Sequence, residues 1–96
     1  MTVEPEVEIS ITGTKTWWLN GKLHKSTGPA VEYLDGDTFW FLHGKRHRTD
    51  GPAIEYSSGT KEWWLNGQQY YSIHEYCKAL NMSQEERFLF ILKWPK

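Results

Sequence analysis

Gly36-Asp37-Thr38-Phe39-Trp40-Phe41-Leu42-His43-Gly44-Lys45-Arg46-His47-Arg48-Thr49-Asp50-Gly51-Pro52-Ala53-Ile54-Glu55-Tyr56 is the middle of three copies of one pattern. Aligning Gly13, Gly36 and Gly59 puts Trp17, Trp40 and Trp63 in one column. Leu19, Leu42 and Leu65 fall in a second and Gly21, Gly44 and Gly67 in a third, a period of 23 residues. The first two copies also share His24 and His47, Gly28-Pro29-Ala30 and Gly51-Pro52-Ala53, and Val31-Glu32-Tyr33 and Ile54-Glu55-Tyr56. The third copy runs from Gly59 to Tyr70 and stops. Self-similarity at such a spacing marks a unit that cannot bury its own apolar face and packs on its neighbours instead.

Each copy reads as β-structure. Residues 14–19 have the β-branched and aromatic content of a strand, and Asn20-Gly21 supplies two residues that tolerate positive φ, the mark of a hairpin turn. Lys22-Leu23-His24 returns as a short strand. Ser26-Thr27-Gly28-Pro29 then interrupts pairing, because Pro29 has no amide proton and Gly28 permits a tight bend. Residues 30–33 form a second strand, and Asp35-Gly36 turns the chain into the next copy. Alternation along a strand sets Trp17, Trp40 and Trp63 on one sheet face and Trp18, Phe41 and Trp64 on the other.

Outside the copies the pattern changes. Residues 1–12 alternate Val3 and Val7 with Glu4, Glu6 and Glu8 around Pro5, an acidic arm leading into a first strand at 7–12 that covers the open end of the first copy. Ser72-Ile73-His74-Glu75 and Ser83-Gln84-Glu85-Glu86 each fit a capping box, and Tyr71 with Tyr76 fits the hydrophobic staple around the first. Ile73, Tyr76, Cys77 and Leu80 make an inward stripe on the first helix, which ends near Asn81. Phe88, Leu89, Ile91 and Leu92 make a broad apolar face on the second, which Trp94-Pro95 ends. The expected architecture is mainly β with C-terminal α: an antiparallel meander of stacked 23-residue hairpin repeats (13–71) followed by two short helices (72–96), in a single domain spanning 1–96.

A chain of 96 residues buries roughly two-thirds of its unfolded surface, enough for a core without staples. A net charge of −1 gives no general attraction to nucleic acid or anionic membrane, so such binding needs a local patch. The lone Cys77 excludes an intramolecular disulfide, and no apolar run of about 18 residues or charged leader is present, which predicts a soluble cytoplasmic protein. Aromatic residues make up 16% of the chain, so either the core is built of rings or some rings face outward.

Trp17-Trp18-Leu19-Asn20-Gly21-Lys22-Leu23-His24, followed by Gly28-Pro29-Ala30-Val31-Glu32-Tyr33 and Asp35-Gly36, resembles the MORN-like hairpin repeats. The form is the Trp-x-x-Asn-Gly-Lys-x-His-Arg-x-Asp-Gly-Pro-Ala variety met in small phage and bacterial proteins. The chain departs from it at Lys25, at Ser26-Thr27 and at His43. The resemblance implies a β-hairpin repeat array used for binding, with protein partners, dimerisation and lipids as the associations such repeats are linked to.

No nucleophile elbow, phosphate loop or His-Glu-x-x-His pattern occurs. His24 and His47, beside Lys25 and Arg48, suggest phosphodiester acid/base chemistry. Yet one residue type at one repeat position meets one environment twice, whereas catalysis needs two differently tuned groups. Four histidines and a cysteine at these spacings do not make a zinc site. The chain is therefore expected to need no metal or cofactor and not to be an enzyme. Lys22, His24, Lys25, Lys45, Arg46, His47 and Arg48 fall on return strands and the loops after them. With Trp18, Phe41 and Trp64 they form the candidate binding residues, suited to an acidic protein surface or an anionic ligand such as a nucleotide or nucleic acid. The leading expectation is a non-enzymatic protein-interaction module, a phage- or bacteria-encoded inhibitor or decoy of a host protein, with a homodimer through the open repeat edge as a further possibility. A ligand-sequestering protein and a small His-dependent nuclease are the alternatives.

Overall fold

A computed structural model describes residues 4–95; the start of the acidic arm, Met1-Thr2-Val3, lies outside them. Among the described residues the fold is mainly β, with ten strands followed by two helices. The strands are β1 (Glu6–Ile9), β2 (Lys15–Leu19), β3 (Lys22–Leu23), β4 (Val31–Glu32), β5 (Thr38–Phe39), β6 (Phe41–Leu42), β7 (Lys45–Arg46), β8 (Ile54–Glu55), β9 (Lys61–Leu65) and β10 (Gln68–Tyr70); the helices are α1 (Ile73–Ala79) and α2 (Gln84–Lys93). Every pairing is antiparallel, in the order β1-β2-β4-β5-β8-β9-β10, with β3 on β2 and a separate β6-β7 hairpin.

The repeat explains this order. In each full copy the Gly-Pro loop splits the return strand into two pieces, so the tryptophan strand is paired by one piece along its first half and by the other along its second. Trp17 sits at the split: its amide donates to the Ala30 carbonyl at 2.7 Å, and its carbonyl accepts from the His24 amide at 3.1 Å. Trp40 does the same with Ala53 at 2.7 Å and His47 at 3.2 Å. Successive copies join edge to edge, through Lys25 N–H to the Phe41 carbonyl and Arg48 N–H to the Trp64 carbonyl. The three hairpins therefore lie side by side in one wall. β1 pairs along the outer edge of β2, from Glu6 opposite Trp18 to Ile9 opposite Lys15, so the first strand ends at Ile9, whereas the sequence predicts 7–12.

The hairpin turns use the chemistry the sequence supplies. Asn20, His43 and Asn66 have φ of 51°, 50° and 49°, and Gly21, Gly44 and Gly67 follow with φ of 74°, 82° and 83°. Positive φ at both central residues twists the turn to match its strands.

The helices lie on the Trp63 side. Trp63, Tyr76 and Cys77 are the buried cluster there, with Leu65, Tyr70, Ile73, Leu80, Met82, Phe90 and Trp94 around it. The Ser83 box is complete, with reciprocal bonds to Glu86. At the first cap Ser72 accepts from the Glu75 amide, but Tyr71 stays 82% exposed, so the staple with Tyr76 does not close. Tyr76 turns inward because a better site exists there: its hydroxyl donates to the carbonyls of Arg48 and Gly51, carrying α1 onto the loop of the second copy. Burial raises its pKa, and the phenol stays a donor.

The phase of α2 also differs from expectation. Phe90 and Trp94 face the core, while Phe88, Leu89 and Leu92 are 60 to 64% exposed. An uninterrupted apolar run carries no periodic signal that fixes which side goes inward. No described helix is long and apolar enough to cross a membrane.

Two substitutions and one control test this docking. Tyr76→Phe leaves two loop carbonyls without their donor and should lower unfolding free energy by about 1–3 kcal/mol in a denaturant titration. A Cβ at Gly51 would lie 2.7 Å from both Arg48 and Trp94, whereas one at Gly28 meets only the flexible end of Lys25 at 3.4 Å. Gly51→Ala should therefore cost about 1–3 kcal/mol, and Gly28→Ala should stay within about 0.5 kcal/mol of the parent.

Candidate interaction surface

A wall one sheet thick cannot bury its rings by itself, so each tryptophan of the Trp17, Trp40 and Trp63 column needs a lid. In the first copy Lys25 folds over Trp17, its Nζ 4.1 Å from the ring centre. In the second Arg48 takes the same position, its guanidinium carbon 4.0 Å from Trp40 and 5.2 Å from Trp94. Arg48 also donates to Asp50 at 2.9 Å, to the Pro52 carbonyl at 3.1 Å and to Glu55 at 3.2 Å, and its side chain is only 13% exposed. In the third copy the equivalent residue is Tyr71, which points away, and Tyr76, Phe90 and Trp94 cover Trp63 instead, with ring centres 4.9 to 6.4 Å from it. These cations are structural lids held on rings by cation–π attraction.

The histidine column is structural too. His24 Nδ1 accepts from the His43 amide at 2.9 Å, and His47 Nδ1 accepts from the Asn66 amide at 2.9 Å, so each ring ties its own copy to the turn of the next. Accepting at Nδ1 requires the neutral ring with its proton on Nε2. Burial, and for His24 the adjacent His43 ring at 4.3 Å, lower its affinity for a proton; burial does the same for His47. His43 meets His24 across copies and does not pair with His47 across its own turn. Cys77 is buried, and burial raises its thiol pKa. Among the described residues no cluster of three or more His, Cys, Asp or Glu could hold a metal.

The second column lies on the face the helices leave open. Trp18 is opposite Leu23, Phe41 opposite Arg46 and Trp64 opposite Gln69, so these rings share one side of the wall. Phe39 adds to the row, with Tyr33 and Tyr56 set edge-on to it at 5.6 and 6.0 Å. Arg46 spans the gap, 5.9 Å from Phe41 and 4.9 Å from Trp64. Glu62 accepts from Trp64 Nε1 at 2.9 Å and from the Tyr56 hydroxyl at 3.1 Å. Burial and that carboxylate raise the Tyr56 pKa. Glu6 and Glu8 share this face at its far end, opposite Trp18 and Thr16.

The ten residues singled out from sequence thus divide. Phe41, Arg46 and Trp64 are brought together, and Trp18 shares their face in the first copy. Lys25 and Arg48 cover rings on the opposite face, and His24 and His47 hold turns. Lys22 and Lys45 lie along the turns of the following copies, near Gly44 and Gly67. Side-chain parity alone does not show that a loop cation bends back over a ring. Tyr33, Phe39, Tyr56 and Glu62 complete the surface and were open to discovery from sequence, since they alternate in register with the Trp18 column.

The histidine geometry sets a pH dependence. Folding holds the rings' pKa below the unfolded value of 6.5, so the unfolded chain binds more protons. Their contribution is complete above about pH 6.5 and is lost as pH falls through the folded pKa. Denaturant midpoints of the parent should drop on acidification below about pH 6.5, and the slope in that window should flatten in His24→Gln, His47→Gln. An unchanged slope would remove the role assigned to these rings. Comparison of the chain with family models, with curated proteins and with solved structures returned no match.

Proposed function

We propose that this chain is a non-enzymatic protein-interaction module whose contact surface is the open aromatic face carrying Trp18, Phe41, Arg46 and Trp64. One observation carries the reading: Tyr76, Phe90 and Trp94 of the helical tail pack on the Trp63 side, while on the other side Trp18 and Tyr33 are exposed and Phe41 and Trp64 half-buried. Trp18 is 38% and Tyr33 45% exposed. Trp, Tyr and Arg dominate interface energetics because they combine large apolar area with a polar handle at small entropic cost. Arg46, held between two rings, is preorganised for an acidic group on the partner, and Glu6, Glu8 and Glu62 set the complementary requirement for cations around it. The resemblance to hairpin repeats of small phage and bacterial proteins adds the finer reading of an inhibitor or decoy directed at a host protein.

The rival readings draw less support from the same residues. An open groove of about 560 Å³ includes Lys25, Trp40, His47 and Arg48 in its walls, the expected setting for an anionic ligand. Its guanidinium, however, already bonds Asp50, Glu55 and a carbonyl, and its lysine lies on Trp17. For His24 or His47 to act as a general base, the lone pair of Nδ1 would have to give up the turn amide it accepts from.

The test is affinity capture of a partner by the parent chain, followed by titration of that partner against variants. Trp18→Ala with Arg46→Ala should weaken binding by at least about tenfold while the thermal midpoint changes little. Trp63→Ala, in the buried cluster, should instead cost about 3–5 kcal/mol of stability. Equal affinity of the parent and the Trp18, Arg46 pair would exclude this face as the contact surface.

A further inference from the structure

The third copy ends one strand short, and the geometry points to the resulting gap as a strand-addition site for an extended protein segment of the form small, β-branched, acidic. The site adjoins the open aromatic face at Glu62, but its argument does not rest on that face being a contact surface.

In the first two copies the tryptophan strand is paired along its first half by its own Ala-Val-Glu or Ala-Ile-Glu strand: Thr16 lies opposite Val31, Lys15 opposite Glu32, Phe39 opposite Ile54 and Thr38 opposite Glu55. In the third copy the residues aligned with that strand are Tyr76-Cys77-Lys78, and they lie in α1. β10 pairs only with Trp63, Trp64 and Leu65. Lys61 and Glu62 are paired by β8 on one side, and no strand among the described residues pairs them on the other.

The register fixes what that edge offers. Thr60 gives its carbonyl to the Tyr56 amide on the β8 side, so Lys61, one residue on, turns its N–H and C=O toward the gap. Beside this edge is a cavity of about 520 Å³, walled by Lys61 and Trp63 of β9, by Tyr71 and Ile73 where the chain leaves the repeat, and by Trp94. An edge with a free donor and acceptor next to an aromatic-lined groove is the arrangement by which sheets accept an added strand.

The chain's own repeats state the chemistry of the occupant. At this position of the first copy a glutamate faces Lys15, and on the β8 side of the third a glutamate already faces Lys61. A segment seated in the gap with the same register places its acidic residue opposite Lys61, exchanging two backbone bonds with it. Its β-branched residue then lies opposite Glu62, as Ile54 does from the other side. Opposite charges directly across an antiparallel pair favour this register over one shifted by a residue.

The probe is a synthetic peptide with the sequence of residues 52–57, Pro-Ala-Ile-Glu-Tyr-Ser, added to the intact protein at up to the order of 1 mM. Amide chemical shifts should move at Gly59 to Trp63, with slowed hydrogen exchange of the Lys61 amide. Methylating the peptide's Glu nitrogen removes one of the two exchanged bonds and should abolish the shifts. Replacing that Glu by Lys should weaken binding by about two- to fivefold. Lys61→Glu should reverse the preference, and a variant that unfolds is replaced in this test by the methylated peptide, which leaves the protein untouched. No shifts at Gly59 to Glu62, or equal binding of the parent and methylated peptides, would overturn the proposal. So would a concentration-dependent rise in mass of the protein alone that the peptide reverses, since a second copy would then be the occupant.

Discussion

Indole rings on a wall one sheet thick have to be covered by something the sheet does not supply, and the rest of this molecule is arranged around that need. The molecule measures 43 × 35 × 19 Å, and its helices pack on the Trp63 side of the third copy. The first two copies meet the need locally, with a cation eight residues after the tryptophan that folds back over the ring. The third has no such cation and uses two helices. Lys25, Arg48 and the Tyr76, Phe90, Trp94 group are three answers to one packing problem, and they explain why repeat and tail form one body.

Arg48 is where these solutions meet. Its guanidinium is a lid on Trp40 and a surface for Trp94, while its backbone carbonyl receives the Tyr76 hydroxyl. Paired charges and satisfied donors make a part-buried guanidinium tolerable, where an unpaired one would be costly. Lys25 covers only Trp17 and has no helix above it. The end of the molecule bearing the helices is therefore the more tightly constrained, and the histidines, each accepting from the next copy's turn, carry that constraint back along the array.

Covering one face and not the other has a structural consequence. The helices give the Trp63 side a core, and the Trp18, Phe41 and Trp64 side keeps its rings in a row with Arg46 among them. Ending the third copy early has a second: the strand that would complete it is replaced by α1, which leaves a sheet edge beside a groove. Both features come from the way an array of equal units is finished at one end.

The sequence by itself determined the repeat, its register, the hairpin turns, the two helix starts and the opposite facing of the two aromatic columns. Each depends on neighbours in the chain: spacing, alternation, positive φ at Asn-Gly, and a side chain capping an amide three residues on. Only the tertiary structure decided that Lys25 and Arg48 are lids, that His24 and His47 bind the turns of the following copies, that Tyr76 prefers loop carbonyls to a staple with Tyr71, and that α2 turns Phe90 inward. Those outcomes depend on groups 8 to 28 residues apart meeting in space, where a carbonyl or a ring face not visible in local pattern competes for the same side chain.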